Sequence, residues 1–138
     1  MSKIHEGGCL CGKVRYKTSG IPTWVGACHC RQCQRLTGTA FFMAAYFEEK
    51  DVDVTSGELK QFEYSSDESG RWHRPEFCVN CGTNVTWTGE TTPGERGIAI
   101  GTFDDPDWLD VTTHTWTRSA HHSVLIPPDA TTFSTGPS

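Results

Sequence analysis

The sequence predicts a mainly β fold of small antiparallel sheets, with one short helical turn near residues 30–37. Three observations predict it. Runs of alternating polar and apolar residues are short and follow one another closely, as strands do. Glycine occurs 14 times and punctuates those runs, and no long helical period competes with them. All seven cysteines fall in tight C-x-C or C-x-x-C groups: Cys9 and Cys11, then Cys28, Cys30 and Cys33, then Cys78 and Cys81. Such spacings let sulfurs from one turn converge on one ion. With only 36% hydrophobic residues in 138, metal clips help close the core.

The elements follow in order. Gly7-Gly8-Cys9-Leu10-Cys11-Gly12 is a tight turn whose glycines let backbone amides wrap a sulfur. Residues 13–17 alternate and read as a strand, which Ser19-Gly20-Ile21-Pro22 ends. Residues 24–27 form a short apolar strand that runs into Cys28-His29-Cys30-Arg31-Gln32-Cys33. The pattern then turns helical: Cys30 and Cys33 share a face that Leu36 continues, and Gly38 suits the stop. The most apolar run, 39–47, reads as a buried strand, and Glu48-Glu49-Lys50-Asp51 turns the chain. Val52 and Val54, then Phe62 and Tyr64, alternate on either side of Ser56-Gly57, which predicts a hairpin. After the polar loop 65–70, residues 72–77 lead into Cys78-Val79-Asn80-Cys81-Gly82, the shape of a metal knuckle. Val85 and Trp87, Ile98 to Ile100, and 111–116 mark further strands. No repeat or linker divides the chain. Residues 1–126 are expected to form a single domain, and the Pro-, Thr- and Ser-rich stretch 127–138 a loose tail.

Composition excludes several classes. The net charge is −5 and the basic residues are dispersed, so no nucleic-acid surface is expected. No run approaches the roughly 18 apolar residues of a membrane span. Residues 1–6 hold no apolar leader core, so the expected location is cytoplasmic. Thiols stay reduced there, which favours metal binding or catalysis over disulfides.

The cysteines pair in two ways. Cys30, Cys33, Cys78 and Cys81 would make a zinc ribbon and leave Cys9, Cys11 and Cys28 over. Alternatively, Cys9, Cys11, Cys78 and Cys81 make a closed structural site, and Cys28, Cys30 and Cys33 remain as a contiguous trio. That contiguity favours the second arrangement. Three protein ligands plus a vacancy is the catalytic pattern for zinc, and a thiol substrate could enter as a thiolate.

Gly8-Cys9-Leu10-Cys11-Gly12, Cys28 to Cys33, Thr55-Ser56-Gly57 and Phe77 to Thr83 together resemble the glutathione-dependent formaldehyde-activating enzyme family, which includes centromere protein V relatives. His114-Thr115-Trp116 followed by Arg118-Ser119 is similar to that family's C-terminal His-x-Trp segment. The resemblance spans about residues 5 to 118. It implies an Mss4-like fold and two Zn²⁺ sites. It places a structural zinc on Cys9, Cys11, Cys78 and Cys81, and a catalytic zinc on Cys28, Cys30 and Cys33. The implied activity is reversible condensation of formaldehyde with glutathione to S-hydroxymethylglutathione, a carbon–sulfur lyase reaction in reverse.

Other readings stand beside this one. The central trio could be a second structural site closed by a fourth ligand such as His29, or Cys30 and Cys33 a redox dithiol. The protein would then be a non-catalytic, zinc-stabilised binding module. His29 is expected to point outward, His114 to be a satisfied structural histidine, and His121 and His122 to face solvent. The five tryptophans are expected mostly in the core, with Trp72 or Trp116 available to floor a substrate pocket.

Overall fold

Alternation decides which way each strand faces. In 15–19, Tyr16 and Thr18 turn inward and are 1% exposed, while Lys17 faces solvent. The computed structural model describes residues 3–136. Its strands are β1 (Ile4–Gly8), β2 (Arg15–Ser19), β3 (Trp24–Cys28), β4 (Phe42–Glu48), β5 (Val52–Ser56), β6 (Leu59–Gln61), β7 (Tyr64–Ser65), β8 (Trp72–Cys78), β9 (Asn84–Gly89), β10 (Glu95–Ala99), β11 (Thr113–Thr115) and β12 (Thr131–Thr132). One α-helix, α1 (Arg31–Thr37), lies among them. The fold is therefore mainly β, as the sequence predicts. A three-stranded antiparallel sheet runs β1-β2-β5. A larger sheet runs β12-β11-β3-β4-β10-β9-β8-β6, with β7 also paired to β8. This larger sheet is mixed, because β11 runs parallel to both β3 and β12.

β4 explains why 42–47 is continuously apolar. Ala45 and Phe47 point to the main core with Val14, Tyr16, Ile98 and Phe103. Phe42 and Ala44 point the other way, into a smaller cluster with Trp87, against which Cys33, Leu36 and Tyr46 pack. A strand covered on both faces carries apolar residues at nearly every position. The strand starts at Phe42, since the residues after Gly38 are spent leaving the helix. Gly38 closes α1 in the left-handed conformation (φ 70°), and its amide donates to the Gln34 carbonyl.

The expected hairpin about Ser56-Gly57 does not form. β5 pairs with β2 in the small sheet, while β6 pairs with β8 in the large one. Gly57 is the point where the chain changes sheets. Its φ is 89°, and a Cβ there would lie 2.4 Å from the Lys13 carbonyl oxygen and 2.6 Å from Val14 Cα. Alternation alone cannot say which partner a strand takes.

Part of the stretch expected as a loose tail, residues 131–135, is docked, and residues 137–138 lie outside the described residues. β12 pairs with β11, and the Phe133 amide donates to the His114 carbonyl and Trp116 to Thr135. Its few apolar side chains hide this from a composition reading, because the backbone makes the contacts. Of the tryptophans, Trp87 is in the core at 9% exposure, while Trp24, Trp72, Trp108 and Trp116 are only partly buried. Trp72 and Trp116 lie under the guanidinium groups of Arg74 and Arg118, and neither lines the two recesses beside α1.

Gly57→Ala should destabilise the fold by about 2 kcal/mol or more, since it adds left-handed strain to a backbone clash. A denaturant titration that leaves the midpoint unchanged would refute the close approach.

Candidate metal centres

Two groups of thiols converge. Cys9 and Cys11 sit in the turn after β1, Cys78 at the end of β8, and Cys81 in the knuckle that follows. Their sulfurs all lie within 4.8 Å of one another, with Cys9–Cys11 at 3.5 Å and Cys11–Cys78 at 3.8 Å. Four thiolates around a tetrahedral ion at bond lengths of about 2.3 Å would stand about 3.8 Å apart. Backbone amides point at the sulfurs: Val14 donates to Cys9 Sγ at 3.2 Å and Asn80 to Cys78 Sγ at 3.4 Å. Thr83 Oγ1 lies 3.2 Å from Cys81 Sγ and accepts from the Leu10 amide at 3.2 Å, which ties the two turns together. Converging soft donors with amides aimed at them fit a thiophilic metal ion.

The second group is Cys28, Cys30 and Cys33, also within 4.8 Å of one another. Cys28 ends β3, Cys30 is the N-cap of α1, and Cys33 lies in its first turn. The Cys33 amide donates to Cys30 Sγ at 3.3 Å. Among the described residues no fourth Cys, His, Asp or Glu donor joins this group. The structure therefore separates the cysteines as four and three, and the ribbon pairing of Cys30 and Cys33 with Cys78 and Cys81 does not occur. All seven are free thiols. Hydrogen bonds from Cys30 and Cys33 hold the Cys28 thiol down to about 3, against its burial. The same contact with Cys28 raises Cys30 and, with burial, Cys33.

His29 does not point outward. Cys28 and Cys30 face one side of the chain, so His29 faces the other, and β11 covers that side. His29 is fully buried, with Nε2 2.9 Å from His114 Nδ1. The His29 amide donates to the Thr115 carbonyl, and Gln34 Nε2 donates to the carbonyls of His29 and Ser119 at 2.8 and 2.9 Å. His114 is the structural histidine expected, a brace behind the thiols. His121 and His122 are exposed.

Three side chains near the trio escape a sequence reading. Tyr46 is pushed up to about 12, first by burial and further by the charge of Cys33 and Cys28, and its hydroxyl accepts from Trp87 Nε1 at 2.9 Å. The Tyr64 hydroxyl is raised by burial and then by the charge of Cys33, Cys30 and Cys28. His73 stacks on Tyr64 at 5.4 Å and burial keeps it neutral more strongly than a free histidine. Tyr64 and His73 are register partners across β7 and β8, a pairing no local pattern announces.

Fold and thiol geometry together define a small β protein with two cysteine clusters that could each hold a metal ion. Residues 4–119 match the model of the glutathione-dependent formaldehyde-activating enzyme family, and the chain belongs to that family. A solved structure of a Rhodobacter sphaeroides protein is similar in fold, with 22% identity and a TM-score of 0.59 over 77% of this chain and 96% of the other. No helix of the described residues is long and apolar enough to cross a membrane.

Cys78→Ser should unfold or aggregate the protein, whereas Cys30→Ser should melt within a few degrees of wild type. The four-thiol group joins turns 67 residues apart, and a structural zinc contributes on the order of 10 kcal/mol. The trio closes only a local turn. Equal losses in a thermal melt would contradict this division.

Proposed function

We propose that the protein is a zinc-dependent enzyme of the carbon–sulfur lyase type, which adds the glutathione thiol to formaldehyde, or to a related aldehyde, and reverses that addition. The observation that carries the reading is the division of thiols into four and three: a filled donor set and one that leaves a position for a substrate sulfur. Cys9, Cys11, Cys78 and Cys81 would hold a structural zinc, and Cys28, Cys30 and Cys33 a catalytic one that is lost more readily. Zinc in the latter site favours the thiolate form of an incoming thiol and so supplies the nucleophile at neutral pH.

The residues around the trio serve that addition. One S–C bond forms, the carbonyl π pair moves to oxygen, and oxygen takes a proton, so the thiol's proton and the product's hydroxyl balance. The Tyr64 hydroxyl, held protonated by burial and by the charge of nearby sulfurs, would donate to the developing alkoxide. Trp87, Phe42 and Leu36 give the site a dry floor beside Cys33. The His29–His114 contact holds the Cys28–Cys30 segment from behind. A reducing cytoplasm suits seven free thiols.

Protein purified without chelator should contain up to two zinc ions, and mild chelation should remove one first. It should bind glutathione and, with formaldehyde present, form S-hydroxymethylglutathione. Cys30→Ser should abolish glutathione binding in a folded protein. Tyr64→Phe should lower kcat about tenfold to a hundredfold with little change in KM, as loss of one proton donor does. A folded, zinc-loaded protein that binds no glutathione would favour the non-catalytic binding module instead.

A further inference from the structure

α1 carries a charge arrangement that its own packing does not explain. Four of the seven arginines, Arg15, Arg74, Arg96 and Arg118, stand in ion pairs. Arg31 and Arg35 do not, and they lie four apart on one helix face. Like charges at that spacing repel and weaken a helix unless an anion lies between them. Arg31 donates to Gln34 Oε1. Arg35 is exposed and makes no side-chain hydrogen bond among the described residues.

Both arginines line a recess of about 500 Å³ with Gln32, Leu36, Phe62 and Tyr64. Its far wall is aromatic: Phe62, 58% exposed, stacks on Tyr64 at 6.3 Å. The recess thus combines cationic and aromatic lining. One acidic side chain, Asp67, also lines the recess, so the two cations outweigh it in a chain of net charge −5.

The recess lies beside the central thiols, because Arg31 and Gln32 of its wall fall between Cys30 and Cys33 in the chain. Tyr64 forms its wall. Leu36 lines it and packs in the same apolar cluster as Cys33. A second recess on the other side of α1 shares Arg31 and Arg35 but lies toward Gly38 and His121, with no aromatic wall.

We propose that this recess is the seat of the thiol substrate's carboxylates. Arg31 and Arg35 take the anionic ends of the peptide thiol, and Phe62 and Tyr64 cover its backbone, so that its sulfur reaches Cys28, Cys30 and Cys33. The proposal rests on glutathione being the thiol. A tripeptide with a carboxylate at each end and its sulfur midway suits two cations placed to one side of a metal site. Guanidinium groups suit carboxylates because the planar fork donates two parallel hydrogen bonds.

Calorimetric titration of wild type, Arg31→Gln and Arg35→Gln with glutathione and with its dialkyl ester tests this. The ester keeps the thiol and peptide but lacks the carboxylate charges. Arg35→Gln should weaken glutathione about tenfold, the loss of one charge-assisted hydrogen bond, and leave the ester unchanged. Its melting temperature should stay at the wild-type value, because Arg35 supports no other side chain. Arg31→Gln should show the same selectivity. If wild type binds ester and glutathione equally, or if both variants bind glutathione as wild type does, the recess is not the carboxylate seat although the thiol reading stands. If wild type binds neither ligand, glutathione is not the substrate and the proposal falls with it.

Discussion

The burial of β4 on both faces is the constraint on which the molecule depends. One face closes the main core against the small sheet, through Ala45 and Phe47. The other needs a cover, and α1 provides it by setting Cys33 and Leu36 against Phe42, Ala44 and Trp87. Burying apolar area at roughly 25 cal/mol per Å² fixes the helix before any ligand does. A thiol in the helix's first turn is thereby placed by core packing. β3, hydrogen-bonded to β4 throughout, brings Cys28 to the same corner. The functional corner is where a strand end and a helix start meet over a shared apolar floor.

The two thiol groups use the same chemistry for different ends. One joins turns that are distant in sequence, with Leu10 and Thr83 locked across the junction. The other draws its sulfurs from six consecutive positions, so the chain gains little order by gathering them. Its supports come instead from behind: His29 on His114, and Gln34 on the carbonyls of His29 and Ser119. The thiols are local and their braces remote, and among the described residues no fourth Cys, His, Asp or Glu joins them.

Much of this was legible in the residues. Alternation marked β2 and β9, apolar runs marked β4 and β10, Gly38 marked the helix stop, and cysteine spacing marked the thiol groups. What escaped was long-range partnering. Val52 to Tyr64 reads as a hairpin because two alternating runs flank a glycine, yet each run joins a different sheet. His29 reads as outward because it lies between two candidate ligands, and the parallel docking of β11 covers that side. Tyr64 and His73 belong near the thiols through strand register, which a sequence does not print. The docking of 131–135 is made by backbone groups, to which side-chain patterns are blind.

The parallel pairing of β11 with β3 has a temporal meaning. His29 and His114 are 85 residues apart, and β11 and β12 follow every other strand in the sequence. On a ribosome, the three sulfurs emerge early, while the wall behind them is still to be made. Pairings of such separation form slowly, since much chain entropy is lost before they are rewarded. The thiol trio therefore waits for β11, whose His114 lies 85 residues beyond His29, before the wall behind it can form.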